Sequence, residues 1–339
     1  MSQENKKYSI GGSALMEGIM MIGPEGVGMS LRMPDGSIET QLKEQKMLKD
    51  KLKLAKIPFI RGPINFVDQM IFSYKAIMES AEKTSMELED GNEEEMSKLD
   101  KWLTDHFGPK MMAVIGVISA ILGFGLAFVL FVYLPSLVAD GIGMLFDSDI
   151  TKFKPLIEGI IRGALFVAYM YGVSFMKEIR RMFMYHGAEH KSIACYESGL
   201  DLTVENIKKQ TRFHPRCGTS FIFLVILISI VVTSVVAILF PGLRETRLVW
   251  MAVKILLLPI LLSIGYEVLK YAGAHNNIFV KITSAPGLWM QRITTKEPTD
   301  DIIEVAIAAT KKCLGIEEEE VIIPVELDEQ DELLKKDDE

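Results

Sequence analysis

Long uninterrupted runs of apolar residues form the strongest pattern in this sequence. Residues 111–139 and 217–243 contain no charged side chain. Each run exceeds the about 20 helical residues that cross a hydrocarbon core of about 30 Å. Two further apolar stretches, at about 156–176 and 248–269, contain a few charged residues. The pattern therefore predicts four membrane-spanning helices.

The charged residues within the two weaker spans need partners in a membrane. Glu158 and Arg162 are four residues apart, which places them on one helix face and predicts that they pair. Lys254 lies near one end of the fourth span, where its long side chain can extend to the headgroups. Glu267 lies near the other end, where a positive partner or a bound metal would explain its presence.

The segment before the spans has a different pattern. Apolar and polar residues alternate on both sides of Pro34-Asp35-Gly36, which predicts a β-hairpin. The two Gly-containing pairs Gly11-Gly12 and Glu17-Gly18 predict a tight loop that reaches the functional site. Residues 57–81 predict an amphipathic helix that either lies on the membrane surface or packs on the hairpin. After the spans, residues 300–314 predict a second amphipathic helix.

These elements predict a mainly α fold: a four-helix polytopic membrane core, a small N-terminal α+β segment in the cytoplasm and a C-terminal amphipathic helix. Residues 87–95 are expected to form an acidic linker. The predicted units are a cytoplasmic α+β segment (1–110), a four-span membrane domain (111–270) with a cytoplasmic loop (177–216), a cytoplasmic C-terminal segment (271–316) and an acidic disordered tail (317–339).

Orientation follows from the distribution of basic residues. Residues 1–110 lack a basic region followed by an apolar core, so they are expected to stay in the cytoplasm. Residues 177–216 contain eight Lys and Arg residues, whereas each of the two outer connections contains two. Since basic residues concentrate in cytoplasmic loops, we predict a multi-pass protein with both termini in the cytoplasm.

Composition narrows the possible partners. The chain is 49% hydrophobic with a net charge of -8, but residues 317–339 alone hold twelve acidic residues and two lysines. The rest of the chain is therefore not acidic, and nothing favours binding to nucleic acid. The three cysteines have no paired spacing, which fits a reducing compartment or a metal role. The expected partners are the lipid bilayer, proteins recruited by the N-terminal segment and the acidic tail, and a second copy of this chain.

A His-x-x-Glu-His motif carries the candidate chemistry. Its members are His186, Glu189 and His190, and on a helix the two imidazoles face one point with the carboxylate at the edge of the same face. Inverted zincins have the same order, in which the histidines bind zinc and the glutamate takes a proton from a water. The motif predicts zinc or another divalent transition metal as cofactor, with Glu189 as the catalytic base.

Other metal-type side chains are predicted to meet the motif on one membrane face, since His214 and Cys217 precede the third span and Glu267 ends the fourth. If the two motif histidines bind with one of these three, an open position remains for catalysis. If His214 and Cys217 both bind, the shell is closed and structural. The alternatives without metal are that Glu189 pairs with a nearby arginine, that Cys217 is a small buried apolar residue and that Glu267 pairs with the neighbouring lysine at position 270.

Donor groups are expected around this site. Arg216, Lys191 and Thr219 are predicted to hold an anionic or carbonyl group of the substrate. The alternative is that the two basic residues contact lipid headgroups.

Five strings in the sequence carry a family resemblance. They are GGSALMEGIMM (11–21), YHGAEHK (185–191), FHPRCGTS (213–220), GYE (265–267), and PGLWMQ (286–291) with TTKEP (294–298). Together they resemble the YqhQ-like family of bacterial membrane proteins, over about residues 8–314. The resemblance implies location in the bacterial inner membrane and favours metal dependence, but it supplies no substrate. Family members usually have Gln at the position of Ser13, so the resemblance assigns no role to that side chain.

Two hypotheses follow. The first is a zinc-dependent membrane hydrolase of the peptide or amide class, with its site at the cytoplasmic membrane face. The second is a non-enzymatic membrane scaffold or assembly factor, in which a structural metal or a polar cluster holds the inner loop against the spans. Ion transport is a third hypothesis and is less favoured, because the spans contain few acidic residues.

Overall fold

The computed structural model describes residues 8, 10–44, 57–86, 109–145, 153–275 and 277–316, without the side chains of 85–86, 109–117 and 120. The described chain is mainly helical, with one four-stranded antiparallel sheet near the N-terminus. The predicted acidic linker at 87–95 and the predicted tail at 317–339 lie outside the described residues.

The sheet is a meander whose strands pair in chain order. The strands are β1 (Gly11–Leu15), β2 (Gly18–Gly23), β3 (Gly26–Arg32) and β4 (Ile38–Lys43). The predicted hairpin is present as β3 and β4, which pair through Arg32 and Ile38. Its turn places Gly36 at a φ of 87°, a left-handed conformation that favours glycine. The N-terminal glycine pairs lie in and beside β1 and β2 rather than in a free loop.

The described helices are α1 (Arg61–Met86), α2 (Pro109–Phe128), α3 (Leu134–Leu145), α4 (Lys154–Val173), α5 (Lys177–Ser198), α6 (Val204–Lys208), α7 (Gly218–Leu239), α8 (Arg247–Ala274), α9 (Ile278–Thr294) and α10 (Asp300–Leu314). A π-helical turn, Val129–Tyr133, joins α2 to α3.

Within the described ranges, four helical stretches are long and apolar enough to cross a membrane, as predicted. They are Ile121–Leu145, Lys154–Val173, Gly218–Leu239 and Arg247–Ala274. Their most apolar windows have mean hydropathies between 1.4 and 3.2, and at most 28% of any window is buried inside the protein. Because so much apolar surface faces outward, these helices can contact the acyl chains of a bilayer.

The prediction that Glu158 and Arg162 pair within the second span is wrong. Glu158 on α4 accepts a hydrogen bond from Lys254 on α8, with 2.6 Å between Oε2 and Nζ, and both side chains are buried. Lys254 therefore does not extend to the headgroups as predicted. Arg162 instead donates to the carbonyl oxygen of Phe131 at 2.7 Å and to the Ser229 hydroxyl at 3.1 Å. Neighbouring helices supply these partners, so they outcompete the pairing within one helix.

Helix α10 joins the sheet to α5. Its buried residues Ile302 and Val305 share one apolar cluster with Ile19 of β2 and Tyr185 of α5. The backbones of β3 and α10 touch, because a Cβ at Gly28 would lie 2.3 Å from a carbonyl oxygen of α10. This packing holds the sheet against the helix that carries the His-x-x-Glu-His motif.

Candidate metal centre

Three metal-type side chains converge where α5 meets the start of α7. The rings of His186 and His190 lie edge to face with 4.4 Å between centroids, which fits their spacing on α5. Cys217 is the residue immediately before α7. One donor atom from each of the three lies within 4.8 Å of the other two. Among the described residues, these three side chains form the one group of three or more donors that is able to hold a metal ion.

Two backbone carbonyls orient the imidazoles. His186 donates a hydrogen bond from Nδ1 to the carbonyl oxygen of Thr294 at 2.9 Å, and His190 donates from Nδ1 to that of Arg212 at 2.7 Å. A carbonyl can only accept, so Nδ1 carries a proton in each ring, and Nε2 is the nitrogen that is left to bind a metal once it is deprotonated. Backbone partners of this kind fix the orientation of metal-binding histidines in known sites.

The spacing of the donors suits zinc. The Nε2 atom of His186 lies 3.2 Å from Sγ of Cys217. A nitrogen and a sulfur on one tetrahedral zinc ion are about 3.5 Å apart, given bond lengths of about 2.0 and 2.3 Å. Imidazole and thiolate are both ligands that zinc prefers. The residues present therefore fit the metal that the motif predicts.

Without a metal, Cys217 and His186 form a charged pair, and a bound cation would replace the proton on Nε2 of His186. Burial alone would raise the pKa of Cys217, but the neighbouring His186 and His190 lower it well below the usual value. Burial likewise opposes protonation of His186, yet the adjacent thiolate raises its pKa to about 9. Cys217 is thus held as a thiolate, which is the form of cysteine that binds metal.

Glu189 lies under the first strand of the sheet. Its side chain is buried, and the backbone N–H of Gly12 donates a hydrogen bond to its carboxylate. A Cβ at Gly12 would lie 2.6 Å from the carbonyl oxygen of Met20 and 3.1 Å from Cγ of Glu189, so glycine is required for this approach. Burial raises the pKa of Glu189, although the two motif histidines oppose the shift.

His214 lies beside the donor group rather than within it. Its ring centroid is 5.5 Å from that of His190, and its Nε2 lies 3.3 Å from the guanidinium of Arg216. Burial, followed by the nearby positive charges, lowers the pKa of His214 to about 3, so the ring is neutral. Gln291 fixes the backbone here by bonding both the N–H and the carbonyl of His214.

Glu267 has a positive partner elsewhere. Arg61, at the start of α1, forms a two-point ion pair with this carboxylate, with 2.7 Å between Nε and Oε1. The backbone N–H of Phe59 adds a third hydrogen bond at 3.2 Å. The carboxylate is thus engaged by the N-terminal segment and is outside the three-donor group. Sequence reasoning placed Arg61 in a separate segment and gave it no role.

The three predicted substrate-binding residues have different positions. Thr219 lies at the cluster, with its hydroxyl 3.1 Å from Sγ of Cys217. Lys191 is buried and pairs with Glu297 at 2.8 Å. Arg216 forms an ion pair with Glu197. The two basic residues are therefore already neutralised by acidic partners.

Sequence reasoning missed the segment that covers the cluster. The backbone of Lys296 donates to the carbonyl of Phe183 at 2.8 Å, and a Cβ at Gly187 would lie 2.0 Å from the carbonyl oxygen of Lys296. Gly187 lies inside the His-x-x-Glu-His motif and Thr294 inside one of the family strings, so the sequence singled out both residues. It did not indicate their roles, because both roles depend on backbone atoms that every residue has.

The fold and this cluster define a protein with four membrane-capable helices and a candidate three-donor metal centre beside them. The chain belongs to the family described as protein of unknown function (DUF1385), which it matches over residues 57–316. It is also 34% identical over 322 residues to the uncharacterized protein YqhQ of Bacillus subtilis (strain 168), covering 94% of this chain and 96% of that protein. No solved structure matches the chain.

Proposed function

We propose that this protein is a zinc-dependent membrane hydrolase that cleaves peptide or amide bonds. His186, His190 and Cys217 bind the metal, and Glu189 is the general base. The observation that carries the proposal is the orientation of the donors: both imidazoles direct Nε2 toward one thiolate because both Nδ1 atoms are bound to carbonyl oxygens.

The number of donors favours catalysis over a purely structural role. Structural zinc sites usually have four protein ligands, whereas catalytic sites have three and an open position. When bound there, zinc would polarise a carbonyl and lower the pKa of water. Glu189 takes a proton from the attacking water and returns it to the leaving amine. Burial raises its pKa, which makes the carboxylate a stronger base than an exposed glutamate.

We place the site at the cytoplasmic face of a bacterial inner membrane, with both termini on that side. The support is the concentration of Lys and Arg in residues 177–216, which include α5. Cys217 directly precedes the span α7, so the cluster lies next to the membrane boundary. A substrate that reaches it is therefore bound at or near the membrane surface.

A scaffold or assembly factor is the competing function, and burial of the cluster favours it. His190 is 1% exposed and Cys217 5% exposed. The cluster joins α5, the start of α7 and the segment around Thr294. A metal bound here would therefore hold these three parts of the chain together. In this case Glu189 has no chemical role.

Metal analysis of the purified, detergent-solubilised protein tests the proposal. We expect about one zinc ion per chain, lost in His186→Ala and Cys217→Ser. Cys195→Ser is the matched control, since Cys195 is also a buried free cysteine but bonds only backbone carbonyls. Glu267→Gln is expected to keep the metal, because Arg61 engages that carboxylate.

Glu189→Gln separates the two functions. The hydrolase predicts that this variant keeps its zinc and its thermal unfolding temperature but loses hydrolysis of a peptide library presented on membrane vesicles. The scaffold predicts that no hydrolysis is detectable in the unmodified protein. Absence of any transition metal from protein purified without chelators would contradict both metal-dependent versions.

A further inference from the structure

Two helices near the candidate metal centre expose large apolar side chains on their outer faces. On α1, large apolar side chains at helical spacing are exposed by 47 to 62%: Val67, Met70, Ile71, Tyr74 and Met78. The inner face of α1 contains Gly62, Asp68 and Ser80, together with Ala76, which packs on the sheet with Phe72 and Ile77. A surface helix in water has its apolar face inward, so the outer face of α1 is not built for water.

Helix α9 has a similar outer face. Its exposed stripe contains Ile278, Ile282 and Trp289, which are 50 to 71% exposed, followed by Arg292 at the end nearest the cluster. Its buried residues are mixed in polarity: Val280, Gly287, Met290, Gln291 and Thr294. An apolar stripe that ends in Trp and Arg is typical of a helix at a membrane interface.

The contacts of α1 place it at the depth of the spans. A Cβ at Gly62 would lie 2.9 Å from Cα of Ser263, and the rings of Phe66 and Phe221 are 5.6 Å apart. Ser263 is about 16 Å along α8 from its end at Ala274, given a rise of about 1.5 Å per residue. The 28 residues of α8 exceed a core of about 30 Å by about 6 Å at each end. The start of α1 therefore lies about 10 Å inside the hydrocarbon.

The contacts of α9 place it at the same membrane boundary. A Cβ at Gly287 would lie 2.5 Å from Cβ of Ser220, which belongs to the first turn of the span α7. Gln291 also donates to the Ser220 hydroxyl at 2.8 Å. The half of α9 that includes Trp289 thus lies at the level where the span α7 begins.

We propose that α1 and α9 are membrane-embedded helices that lie in the leaflet nearest the candidate metal centre, with lipid acyl chains covering their apolar stripes. The ion pair between Arg61 and Glu267 makes the deep start of α1 tolerable, because neither charge is left alone in hydrocarbon. The proposal stands whether or not the cluster binds metal.

Quenching of tryptophan fluorescence by brominated lipids tests this. The chain has three tryptophans, Trp102, Trp250 and Trp289. Replacing the first two with Phe leaves Trp289 as the reporter for α9. A variant with all three replaced and Tyr74→Trp reports on α1, and one with Lys209→Trp, an exposed position directly after α6, is the matched control.

The proteins are reconstituted in phosphatidylcholine vesicles with bromine at the 6,7 positions of the acyl chain. We expect at least a twofold loss of fluorescence at Trp289 and at Tyr74→Trp, and little loss at Lys209→Trp. Aqueous acrylamide should give the opposite order. Unchanged thermal unfolding and a single peak in size exclusion establish that each variant is folded.

Three results would overturn the proposal. Acrylamide quenching at Tyr74→Trp equal to that at Lys209→Trp would place α1 in water. Protection of either reporter from both quenchers would mean that protein, such as a second copy, covers the stripe. Lipid quenching of one reporter alone would show that the two helices are not a membrane-embedded pair.

Discussion

At the scale of single residues, the candidate site depends on backbone atoms as much as on side chains. The spacing of His186 and His190 and their position on a helix follow from the motif. Their orientation does not, because it depends on the carbonyl oxygens of Thr294 and Arg212. Every residue has a backbone carbonyl, so the sequence does not show which carbonyl a distant histidine will bond.

Gly187 provides a test of this backbone support. Gly187→Ala places a Cβ 2.0 Å from the carbonyl oxygen of Lys296, so the segment that includes Thr294 must move away from His186. Loss of such a partner lowers metal affinity by about 10- to 100-fold. We expect a drop of this size in zinc titrations against a competing chelator. Gly163→Ala is the control, because Gly163 is also on a helix but has open space at the Cβ, and this variant should bind zinc normally. Equal zinc affinities in the two variants would contradict a role for the contact between Gly187 and Lys296.

The three cysteines allow a test of the thiolate. All three are buried, but the pKa of Cys217 is lowered by its histidines, whereas burial raises that of Cys195 and raises that of Cys313 to about 12. Only the thiolate is nucleophilic, so at pH 6 a lowered pKa keeps Cys217 reactive and raised values keep the other two inert. In metal-free protein we expect iodoacetamide to modify Cys217 first, measured by peptide mass spectrometry.

Added zinc should protect Cys217 by occupying the sulfur. The same reaction in denaturant is the control, since unfolding removes the shifts and should equalise the three rates. Equal rates in the folded, metal-free protein would mean that Cys217 is an ordinary buried thiol.

At the scale of elements, the four spans were predictable because each is a local run of apolar residues. The hairpin β3–β4 was predictable from Pro34-Asp35-Gly36. The pairing of charges between spans was not, since Glu158 and Lys254 lie far apart in sequence and meet only through packing of α4 and α8. The same holds for Glu267, whose partner Arg61 comes from another segment. The local sequence pattern thus predicts the helices and strands, whereas the packing of these elements on one another decides which charged side chains form ion pairs.

The buried pair between α4 and α8 predicts an asymmetric response to mutation. Lys254→Met leaves the Glu158 carboxylate charged and buried, which costs about 3–5 kcal/mol, whereas replacing both partners with apolar residues is often neutral. We therefore expect Lys254→Met alone to lower the unfolding free energy strongly, and Glu158→Leu in the same chain to restore most of it. Lys209→Met, which breaks an exposed pair with Glu205, should cost less than about 1 kcal/mol. Equal losses for the two lysine variants, measured by denaturation in detergent, would contradict a buried ion pair.

At the scale of the whole molecule, the candidate site is built where two layers meet. The sheet and α10 pack on one side of α5, and Cys217, the residue before the span α7, lies against the two motif histidines of α5. Sequence reasoning identified α10 as an amphipathic helix but had no basis for its partner. The structure gives that partner as β2, β3 and α5, so the C-terminal helix supports a site to which it contributes no donor.

Truncation tests this long-range support. A chain that ends after residue 299 keeps His186, His190 and Cys217 but loses α10, which exposes the apolar surface that Ile302 and Val305 cover. Because α5 then loses the core that it shares with the sheet and α10, His186 and His190 are no longer held in position beside Cys217, and we expect zinc to be absent from the purified protein. A chain that ends after residue 316 keeps every described residue and is the matched control, expected to retain about one zinc ion. If both truncated proteins bind zinc equally well, the donors on α5 and before α7 are held by the spans alone, and the sheet and α10 serve some purpose other than assembling the metal centre.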